Sequence, residues 1–331
     1  MNVMKDSLTE KVLQVEKFTM RYATRKGDVS AVEDVSFSLA RGEALGLVGE
    51  SGCGKTSVAV ALLRLLPDNA RIVAGSVKLN GADMLTLSDS EVRRRRWKEI
   101  AMVFQAAMNS LNPVYTVEEQ IIEAMRQHTP ELTSQQMDKR IDELFNLVGL
   151  DPVLKSQYPH QHSGGMRQRA VIALALACNP DIIVADEPTT ALDVIVQDGV
   201  LKRLREIQQR LNMAMIYISH DIAVIAEVSD RVAVMYAGRL VEIGRTEDIF
   251  HNPRHPYTSA LMQSFPSVSG EKHELVTLPG EPPDLLHPPE GCRFHPRCPK
   301  RVSRCDREVP SLVECGRQQQ VACWNPVEAQ A

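Results

Sequence analysis

The sequence has 331 residues, of which 44% are hydrophobic and 24% charged, a composition typical of a folded globular protein with one or two domains. Its net charge of −4 argues against nucleic acid as the main ligand. The first twenty residues lack the apolar segment of a signal peptide, and the longest apolar run, Ala170 to Cys178, is far shorter than the roughly 20 residues that cross a membrane. We therefore expect a cytoplasmic protein that meets a membrane only through a partner.

Two stretches near the N-terminus alternate between apolar and polar residues, which predicts half-buried β-strands. They run from Val12 to Tyr22 and from Ala31 to Leu39, with a turn around Gly27 between them. The segment Ser76 to Gly81 predicts a further strand and a turn. Together these segments predict an antiparallel sheet beside the core of the fold.

The segment Gly49 to Thr56 matches G-x-x-x-x-G-K-[ST], the pattern of a phosphate-binding P-loop. The apolar run Ala44 to Val48 predicts a buried strand before it, and Ser57 to Leu66 predicts a helix after it. Glycines let backbone N–H groups curl around an anion, Lys55 can reach the β- and γ-phosphates, and Thr56 can hold Mg²⁺. The residues expected to contact a bound nucleotide are Gly49, Ser51, Gly52, Cys53, Gly54, Lys55, Thr56 and Ser57.

The polar segment Ser88 to Lys98 predicts a helix that carries four consecutive arginines, Arg93 to Arg96. Such a run could contact phosphate or anionic lipid, but charge runs more often mark a solvated helix face, and we favour that interpretation. The apolar segment Ile100 to Phe104 then predicts a strand that ends at Gln105.

The spacing of apolar residues becomes helical over Val117 to His128 and Ser134 to Val148, with Gly149 as a helix stop. Helical spacing returns from Gly165 to Cys178. No convincing strand pattern appears from Val117 to Leu150, so a helical subdomain inserted in the core, over about residues 106–178, is predicted.

Strands and helices alternate in the next part of the chain, which is typical of an α/β fold with a parallel sheet. Asp181 to Pro188 predicts a buried strand that ends in two acids, and Met213 to Ser219 predicts another that ends at His220. Predicted helices at residues 193–211 and 221–228 and a hairpin at 231–244 complete the region. Beside a P-loop, Asp186 fits an acid that helps to hold Mg²⁺, and Glu187 is placed to polarise a water against the γ-phosphate. The predicted fold class is therefore an α/β P-loop NTPase core of the RecA-like kind, with an antiparallel β subdomain and an inserted helical subdomain.

One further motif indicates which family of P-loop proteins this sequence resembles. The segment Ser163 to Arg169, Ser-Gly-Gly-Met-Arg-Gln-Arg, resembles the signature motif of ATP-binding cassette (ABC) proteins, usually L-S-G-G-Q. Gln105 resembles the Q-loop glutamine of that family, Thr190 to Asp193 its D-loop, and His220 its switch histidine. These motifs follow one another in the family's order over roughly residues 10 to 250.

The resemblance implies roles for these residues. Ser163, Gly164 and Gly165 would face the γ-phosphate bound to an opposite cassette, so that ATP joins two cassettes and hydrolysis releases them. His220 would contact the γ-phosphate, and Gln105 would sense Mg²⁺ and the attacking water and touch a membrane partner. Tyr22 would stack on adenine, although an aromatic residue at a strand end also serves as core packing.

Two positions depart from the usual signature motif. His162 stands where leucine is usual, and Met166 stands where glutamine is usual. The phosphate-facing Ser-Gly-Gly part is intact, so we expect little loss of ATPase activity, while His162 could alter the packing of a cassette dimer.

Three further runs resemble the ATPases of dipeptide and oligopeptide importers. They are Phe104-Gln105 followed by Asn109 to Pro113, Asn252 to Thr258, and Gly291 to Pro299. This resemblance implies a subunit at the cytoplasmic face of the inner membrane, with two transmembrane permease subunits and, indirectly, an extracytoplasmic solute-binding protein as partners. It also implies a second cassette subunit, which is either an identical chain or a paralogue, and importers of this type generally pair two different cassettes. Relatives carry nickel, glutathione or short oligosaccharides, so the cargo stays open. A soluble ABC ATPase without a transport role is the alternative, although such proteins usually carry two cassettes or a coiled-coil insertion.

The composition changes after Phe250, which divides a nucleotide-binding domain at residues 1–250 from a C-terminal extension at 251–331. Residues 251–326 hold twelve of the nineteen prolines and five of the seven cysteines, so a loop-rich segment that needs a covalent or metal cross-link for stability is predicted.

The cysteines of this segment are candidate metal ligands. Four thiolates could come from Cys292, Cys298, Cys305 and Cys323 and bind an iron–sulfur cluster or zinc, or the thiols could stay unligated, with Cys315 as a spare. The tight cysteine pair common in zinc sites is absent, and the resemblance to peptide-importer ATPases implies a [4Fe–4S] cluster with Cys323 as the last ligand. A tail that binds nucleic acid through zinc is a further alternative, and salt-dependent affinity would reveal it.

Overall fold

The computed structural model describes residues 10–105, 110–190, 192–264, 280–316 and 318–328. The strands are β1 (Lys11–Thr24), β2 (Gly27–Ala40), β3 (Ala44–Val48), β4 (Ala70–Leu79), β5 (Ala82–Asp83), β6 (Ile100–Val103), β7 (Ile182–Asp186), β8 (Ala214–Ile218), β9 (Arg231–Tyr236), β10 (Arg239–Arg245), β11 (Val313–Gly316) and β12 (Gln319–Val321). The helices are α1 (Lys55–Leu62), α2 (Asp89–Arg95), α3 (Val117–His128), α4 (Ser134–Val148), α5 (Gly164–Ala175), α6 (Val194–Leu211), α7 (Ile222–Val228), α8 (Thr246–His251) and α9 (Pro256–Gln263).

The main sheet has the strand order β11-β12-β10-β9-β3-β8-β7-β6. β3 lies between β9 and β8 and is parallel to both, and β7 and β6 continue the parallel part. Every residue of β3, β7 and β8 is buried. Continuous apolar runs suit strands covered on both faces, which is why the sequence predicts these three strands well.

The two faces of the sheet pack against different layers. Leu45 and Leu47 of β3 belong to a core shared with α1 and with a second, antiparallel sheet of order β2-β1-β4-β5. Ala44 and Val48 of the same strand belong to a core shared with α3 to α7. Since successive side chains of a strand point to opposite faces, this one strand places the antiparallel sheet and the helical layer on opposite sides.

The helical subdomain has the bounds that the sequence predicts for α3 and α4. Thr116 and Thr133 begin these helices in capping boxes with Glu119 and Gln136. Gly149 ends α4 in the left-handed conformation at φ 74°. In the described ranges of the chain no helix is long and apolar enough to cross a membrane.

The helix after the P-loop is shorter than predicted, because α1 ends at Leu62 rather than at Leu66. Arg64 has a left-handed backbone at φ 50°, which stops the helix. Arg96 holds this end by donating to the carbonyl oxygens of Leu63 and Arg64 at 2.8 Å each. The arginine run is therefore not only a solvated face, since Arg95 also pairs with Glu99 at 2.7 Å.

The extension is more ordered than its composition predicts. β12 pairs with β10 and β11 with β12, so the extension adds two strands to the main sheet. Buried Glu242 of β10 accepts hydrogen bonds from the backbone N–H groups of Arg254 and His255, at 2.7 and 2.9 Å, and from Gln319 Nε2 at 2.7 Å. One carboxylate thus ties the Asn252–Thr258 run to strand β12.

Candidate active site

The P-loop connects β3 to α1, and two of its glycines are required by close contacts. Gly49 has φ 148° and Gly54 has φ 104°, values that L-residues rarely adopt. A Cβ atom at Gly49 would overlap the carbonyl oxygen of Met235, and one at Gly54 would overlap that of Ala31. The two neighbouring chain segments therefore fix the curvature of the loop.

The ammonium group of Lys55 rests on the inside of this loop. Its Nζ donates to the carbonyl oxygens of Gly49 at 2.7 Å and Glu50 at 3.0 Å, and lies 3.6 Å from Cys53 Sγ. The lysine is buried, and burial raises the pKa of the Cys53 thiol, which keeps that thiol neutral. A buried cation whose hydrogen bonds go to backbone carbonyl oxygens favours the arrival of an anion such as a phosphate group.

Asp186 ends β7 next to the beginning of α1. Its side chain is 1% exposed, and burial raises its pKa although a hydrogen bond with Thr56 opposes this shift. Within the described parts of the chain, Asp186 Oδ2 is buried without a hydrogen-bond partner. A carboxylate with an unsatisfied oxygen beside a threonine hydroxyl is a donor set that suits Mg²⁺, which prefers oxygen ligands.

Glu187 joins three residues that lie far apart in the sequence. Its carboxylate accepts from Gln105 Nε2 at 2.7 Å and from Thr190 Oγ1 at 3.0 Å, and lies 3.2 Å from His220 Nδ1. Burial alone would raise its pKa, but the hydrogen bonds with His220, Thr190 and Gln105 outweigh burial and lower it. Glu187 also has a positive φ of 47°, an uncommon conformation for this residue type. The structure thus brings together Glu187, Gln105 and His220, the three predicted catalytic residues.

Tyr22 of β1 lies on the same side of the sheet as α1. Its hydroxyl is 3.2 Å from Ser57 Oγ in the first turn of α1, and its ring packs partly against the core below. The structure therefore places both predicted residues together at the P-loop helix.

The signature motif lies in the other layer. Ser163 begins α5, and its Oγ accepts from the backbone N–H of Met166 at 3.3 Å. A Cβ on Gly165 would lie 2.6 Å from Cγ1 of Val196 in α6, so this glycine allows the two helices to approach closely. Since α5 packs in the helical layer and α1 in the opposite one, the helix that Ser163 begins and the helix that follows the P-loop lie on opposite faces of the sheet.

His162, the unusual residue before the motif, points into the fold. The residue is 4% exposed, its Nε2 lies 3.3 Å from the carbonyl oxygen of Leu154, and burial lowers its pKa. Its Nδ1 is buried without a partner among the described residues. The ring therefore occupies an interior position, as a leucine would, and Met166 packs partly against the same core.

Four of the cysteines in the extension are electrostatic neighbours. Burial, together with the charges of the other thiols, raises the pKa of Cys323 to about 12 and that of Cys292 to about 11. The neighbours of Cys323 are Cys292, Cys298 and Cys305. The charged neighbours of Cys315 among the described residues are Arg254 and Glu242 instead, and its Sγ lies 3.6 Å from the carbonyl oxygen of Gln319. In the ranges that the structure describes, however, no three His, Cys, Asp or Glu side chains form a group that could hold a metal ion.

Two residues at the site have no counterpart in the predictions. Tyr257 and Arg297 of the extension both contact Glu50 of the P-loop. They lie in the runs Asn252–Thr258 and Gly291–Pro299, but nothing in those runs shows that they fold back onto the nucleotide site.

A P-loop that follows a buried parallel strand, an acid at the end of another strand of the same parallel sheet and a hydrogen-bonded glutamate beside that acid define a P-loop nucleoside triphosphatase. Two family descriptions match the chain: "ABC transporter" over residues 32–190 and "Oligopeptide/dipeptide transporter, C-terminal region" over residues 241–305.

Individual relatives agree with these matches. The chain is 46% identical over 318 residues to the dipeptide transport ATP-binding protein DppD of Bacillus subtilis, covering 95% of each chain. It is 43% identical over 320 residues to the oligopeptide transport ATP-binding protein OppD of Salmonella typhimurium, covering 96% of this chain and 94% of that one. The ATP-binding cassette MJ0796, solved as a dimer in a post-hydrolysis state bound to ADP and Pi, is 26% identical with a TM-score of 0.63, covering 71% of this chain and 98% of that one. The chain therefore belongs to the ABC transporter family, in the branch of the dipeptide and oligopeptide transport ATP-binding proteins, and it is an ABC-type ATPase that acts on ATP with Mg²⁺.

Proposed function

We propose that this chain is the ATP-hydrolysing subunit of an importer for dipeptides or oligopeptides. The observation that carries the ATPase part is the convergence of Gln105 and His220 on Glu187, next to Asp186, whose Oδ2 has no hydrogen-bond partner in the described ranges. The transport part rests on relatives named for dipeptide and oligopeptide transport that match along nearly the whole chain.

In this proposal each predicted site residue has a defined task. The P-loop N–H groups and Lys55 bind the β- and γ-phosphates, and Tyr22 stacks on adenine. Thr56 and Asp186 hold Mg²⁺, which supplies neutralisation of phosphate charge when it is bound. Glu187 orients the attacking water. The side chains of His220 and Gln105 move away from Glu187 and turn towards the γ-phosphate and the water. Further P-loop contacts come from Gly49, Ser51, Gly52, Cys53, Gly54 and Ser57.

The nucleotide site of one chain is half of the working site in this proposal. Ser163, Gly164 and Gly165 open α5 and can receive an anion at a helix N-terminus. The position of α5 and α1 on opposite faces of the sheet supports a role on the nucleotide of a partner cassette, and the dimer of MJ0796 is a precedent for two cassettes in contact. We infer that the partner is a second, different cassette subunit.

The remaining assignments follow from this role. Residues 1–250 form the nucleotide-binding domain, with the helical subdomain at about 106–178, and residues 251–331 form the extension. Two transmembrane permease subunits anchor the chain at the cytoplasmic face of the inner membrane, a solute-binding protein delivers the cargo from outside, and nucleic acid has no part.

Co-purification from membranes followed by ATPase assays tests the function. The chain should purify with two integral membrane subunits, and a dipeptide- or oligopeptide-loaded binding protein should stimulate ATP hydrolysis, whereas Lys55→Ala should abolish it. Stimulation by nickel, glutathione or an oligosaccharide instead of a peptide would show that the cargo is that compound and not a peptide. Purification without any membrane subunit would contradict the transport role and favour a soluble ABC ATPase.

We further propose that Cys292, Cys298, Cys305 and Cys323 hold a [4Fe–4S] cluster that staples the extension. The support is the mutual electrostatic contact of these four thiols, from which Cys315 is excluded. Deprotonated thiolates are the ligands that such a cluster requires, and a bound cluster would offset the raised thiol pKa values. In the part of the chain that the structure describes, these thiols do not form a group arranged to hold a metal ion.

Metal analysis of anaerobically purified protein tests the cluster. We expect about four iron and four sulfide per chain, lost in Cys323→Ser and kept in the matched Cys315→Ser variant. A colourless protein with one zinc per chain would show that the thiols bind zinc instead of the cluster. A metal-free protein would show that the thiols are unligated.

A further inference from the structure

Glu50 is the second residue of the P-loop, and its carboxylate is held by the extension. Arg297 donates from its two terminal nitrogens to Oε2 and Oε1 of Glu50, at 2.8 and 3.0 Å. The arginine side chain is 7% exposed and the glutamate 23% exposed. A two-pronged, largely buried arginine–carboxylate pair fixes orientation as well as distance, unlike an exposed surface pair.

The backbone of Glu50 is held as well. Its N–H donates to the hydroxyl of Tyr257 at 3.0 Å, and Tyr257 is fully buried in the extension. This N–H group is therefore engaged with the extension rather than free to cradle phosphate. Both the side chain and the main chain of one P-loop residue thus depend on residues beyond position 250.

A second attachment lies at the other end of the loop. The N–H of Gly238, in the β9–β10 turn, donates to the carbonyl oxygen of Cys53 at 2.9 Å. Arg293 of the extension donates to the carbonyl oxygen of the neighbouring Ala237. The extension therefore contacts the P-loop directly at Glu50 and, through the β9–β10 turn, indirectly at Cys53.

Arg297 and Tyr257, the residues that hold Glu50, are surrounded by closely packed aromatic rings. The rings of Tyr236 and Tyr257 have centroids 4.6 Å apart, and Phe294 packs against both at 5.1 and 5.5 Å. The hydroxyl of Tyr236 also accepts from Arg297 at 3.2 Å. Because these packed rings restrict the movement of Arg297 and Tyr257, the contacts of both residues hold Glu50 in a fixed position.

The position of Glu50 bears directly on phosphate binding. The carbonyl oxygens of Gly49 and Glu50 are the two that hold the ammonium of Lys55. A shift of Glu50 therefore moves the lysine and the curvature of the anion-binding loop together. We propose that Arg297 and Tyr257 are positioning residues for ATP, through which the C-terminal extension holds the P-loop in its phosphate-binding shape. This inference rests on the nucleotide binding assigned to the P-loop.

Isothermal titration of the full-length protein with MgATP tests it. Arg297→Gln and Glu50→Gln should each raise the Kd about tenfold, equal to about 1.4 kcal/mol, and the double variant should be no weaker than either single one. Tyr257→Phe keeps the aromatic packing and removes only the acceptor for Glu50 N–H, so about a threefold rise is expected. In the assembled transporter the KM for ATP should rise while kcat at saturating ATP changes less than about twofold.

Arg301 supplies the matched control, since it forms a similar two-pronged pair with Asp306 at 2.7 and 2.6 Å in the same extension but far more exposed. Arg301→Gln should leave the Kd unchanged. A wild-type Kd in folded Arg297→Gln and Tyr257→Phe, or an equal rise in Arg301→Gln, would overturn the inference. If the unmodified chain bound no MgATP, the proposed function itself would fail, which is a distinct result.

Discussion

His255 gives the fold a dependence on pH whose size follows from its burial. The ring is 1% exposed, and its Nδ1 accepts the N–H of Tyr257 at 3.0 Å, so it begins helix α9 as a neutral side chain. Burial lowers its pKa to about 3, below the ordinary value of 6.5. A group whose pKa falls on folding stabilises the native state fully above its unfolded pKa, and this contribution is lost as pH falls below about 6.5. At pH 5 the loss is about 2 kcal/mol, from 1.5 units at about 1.36 kcal/mol each.

The test compares wild type with His255→Asn, in which the amide oxygen can accept the same N–H but does not titrate. Urea unfolding, followed by the fluorescence of Trp324 in the extension, is measured at pH 7.5 and 5.0. The variant should be less stable at pH 7.5 by about 1 kcal/mol because it loses packing against Phe294, but its deficit should vanish or reverse at pH 5.0. Glu242, which accepts the N–H of His255 and whose pKa burial raises, titrates in both proteins and cancels from the difference. Equal losses of stability on acidification in the two proteins would refute the reasoning.

Three other substitutions test separate parts of the structure. Glu242→Ala removes the acceptor of three hydrogen bonds and should lower the free energy of unfolding by about 3 kcal/mol in thermal or urea unfolding, whereas Glu242→Gln, which keeps one acceptor, should lose less. His162→Leu removes a buried nitrogen that has no partner among the described residues. It should raise stability by about 1 kcal/mol with ATPase activity within about twofold, so a many-fold gain in activity would contradict a purely interior role. Gly165→Ala should reduce ATPase activity by forcing Val196 away, and Val196→Ala in the same chain should restore it; no restoration would place the defect elsewhere.

The best predicted parts of the fold are those where a local pattern and the final environment agree. Ala44 to Val48 is a run of apolar residues, and the same five residues form β3, buried on both faces. Glycines at positions 49 and 54 mark backbone shapes that other residues avoid, so the P-loop can be recognised without knowing its neighbours. The convergence on Glu187 could also be anticipated, because neighbouring parallel strands end at one edge of the sheet and each carries one of the polar residues.

The less well predicted parts depend on contacts between distant segments. The end of α1 is set by Arg96, which lies more than thirty positions further along and reaches back to the carbonyl oxygens of Leu63 and Arg64. β12 has only three residues and exists because β10 offers it an edge, so its own sequence carries almost no strand signal. The pair between Glu50 and Arg297 joins two residues with ordinary surface-residue types, and no spacing rule connects them.

The hydrogen bonds around Glu187 constrain how the chain can hydrolyse ATP. Its lowered pKa means that the carboxylate is ionised at neutral pH while Gln105, Thr190 and His220 surround it. A carboxylate stabilised in this way is a weak base, so water activation becomes effective only when some of these partners leave it. In the proposed mechanism the γ-phosphate and the signature motif of the second cassette draw His220 away from Glu187, and the 71% exposure of the histidine side chain leaves it accessible to both. In this proposal hydrolysis is restricted to the closed dimer, and the hydrogen bonds of the resting chain keep Glu187 from acting on water.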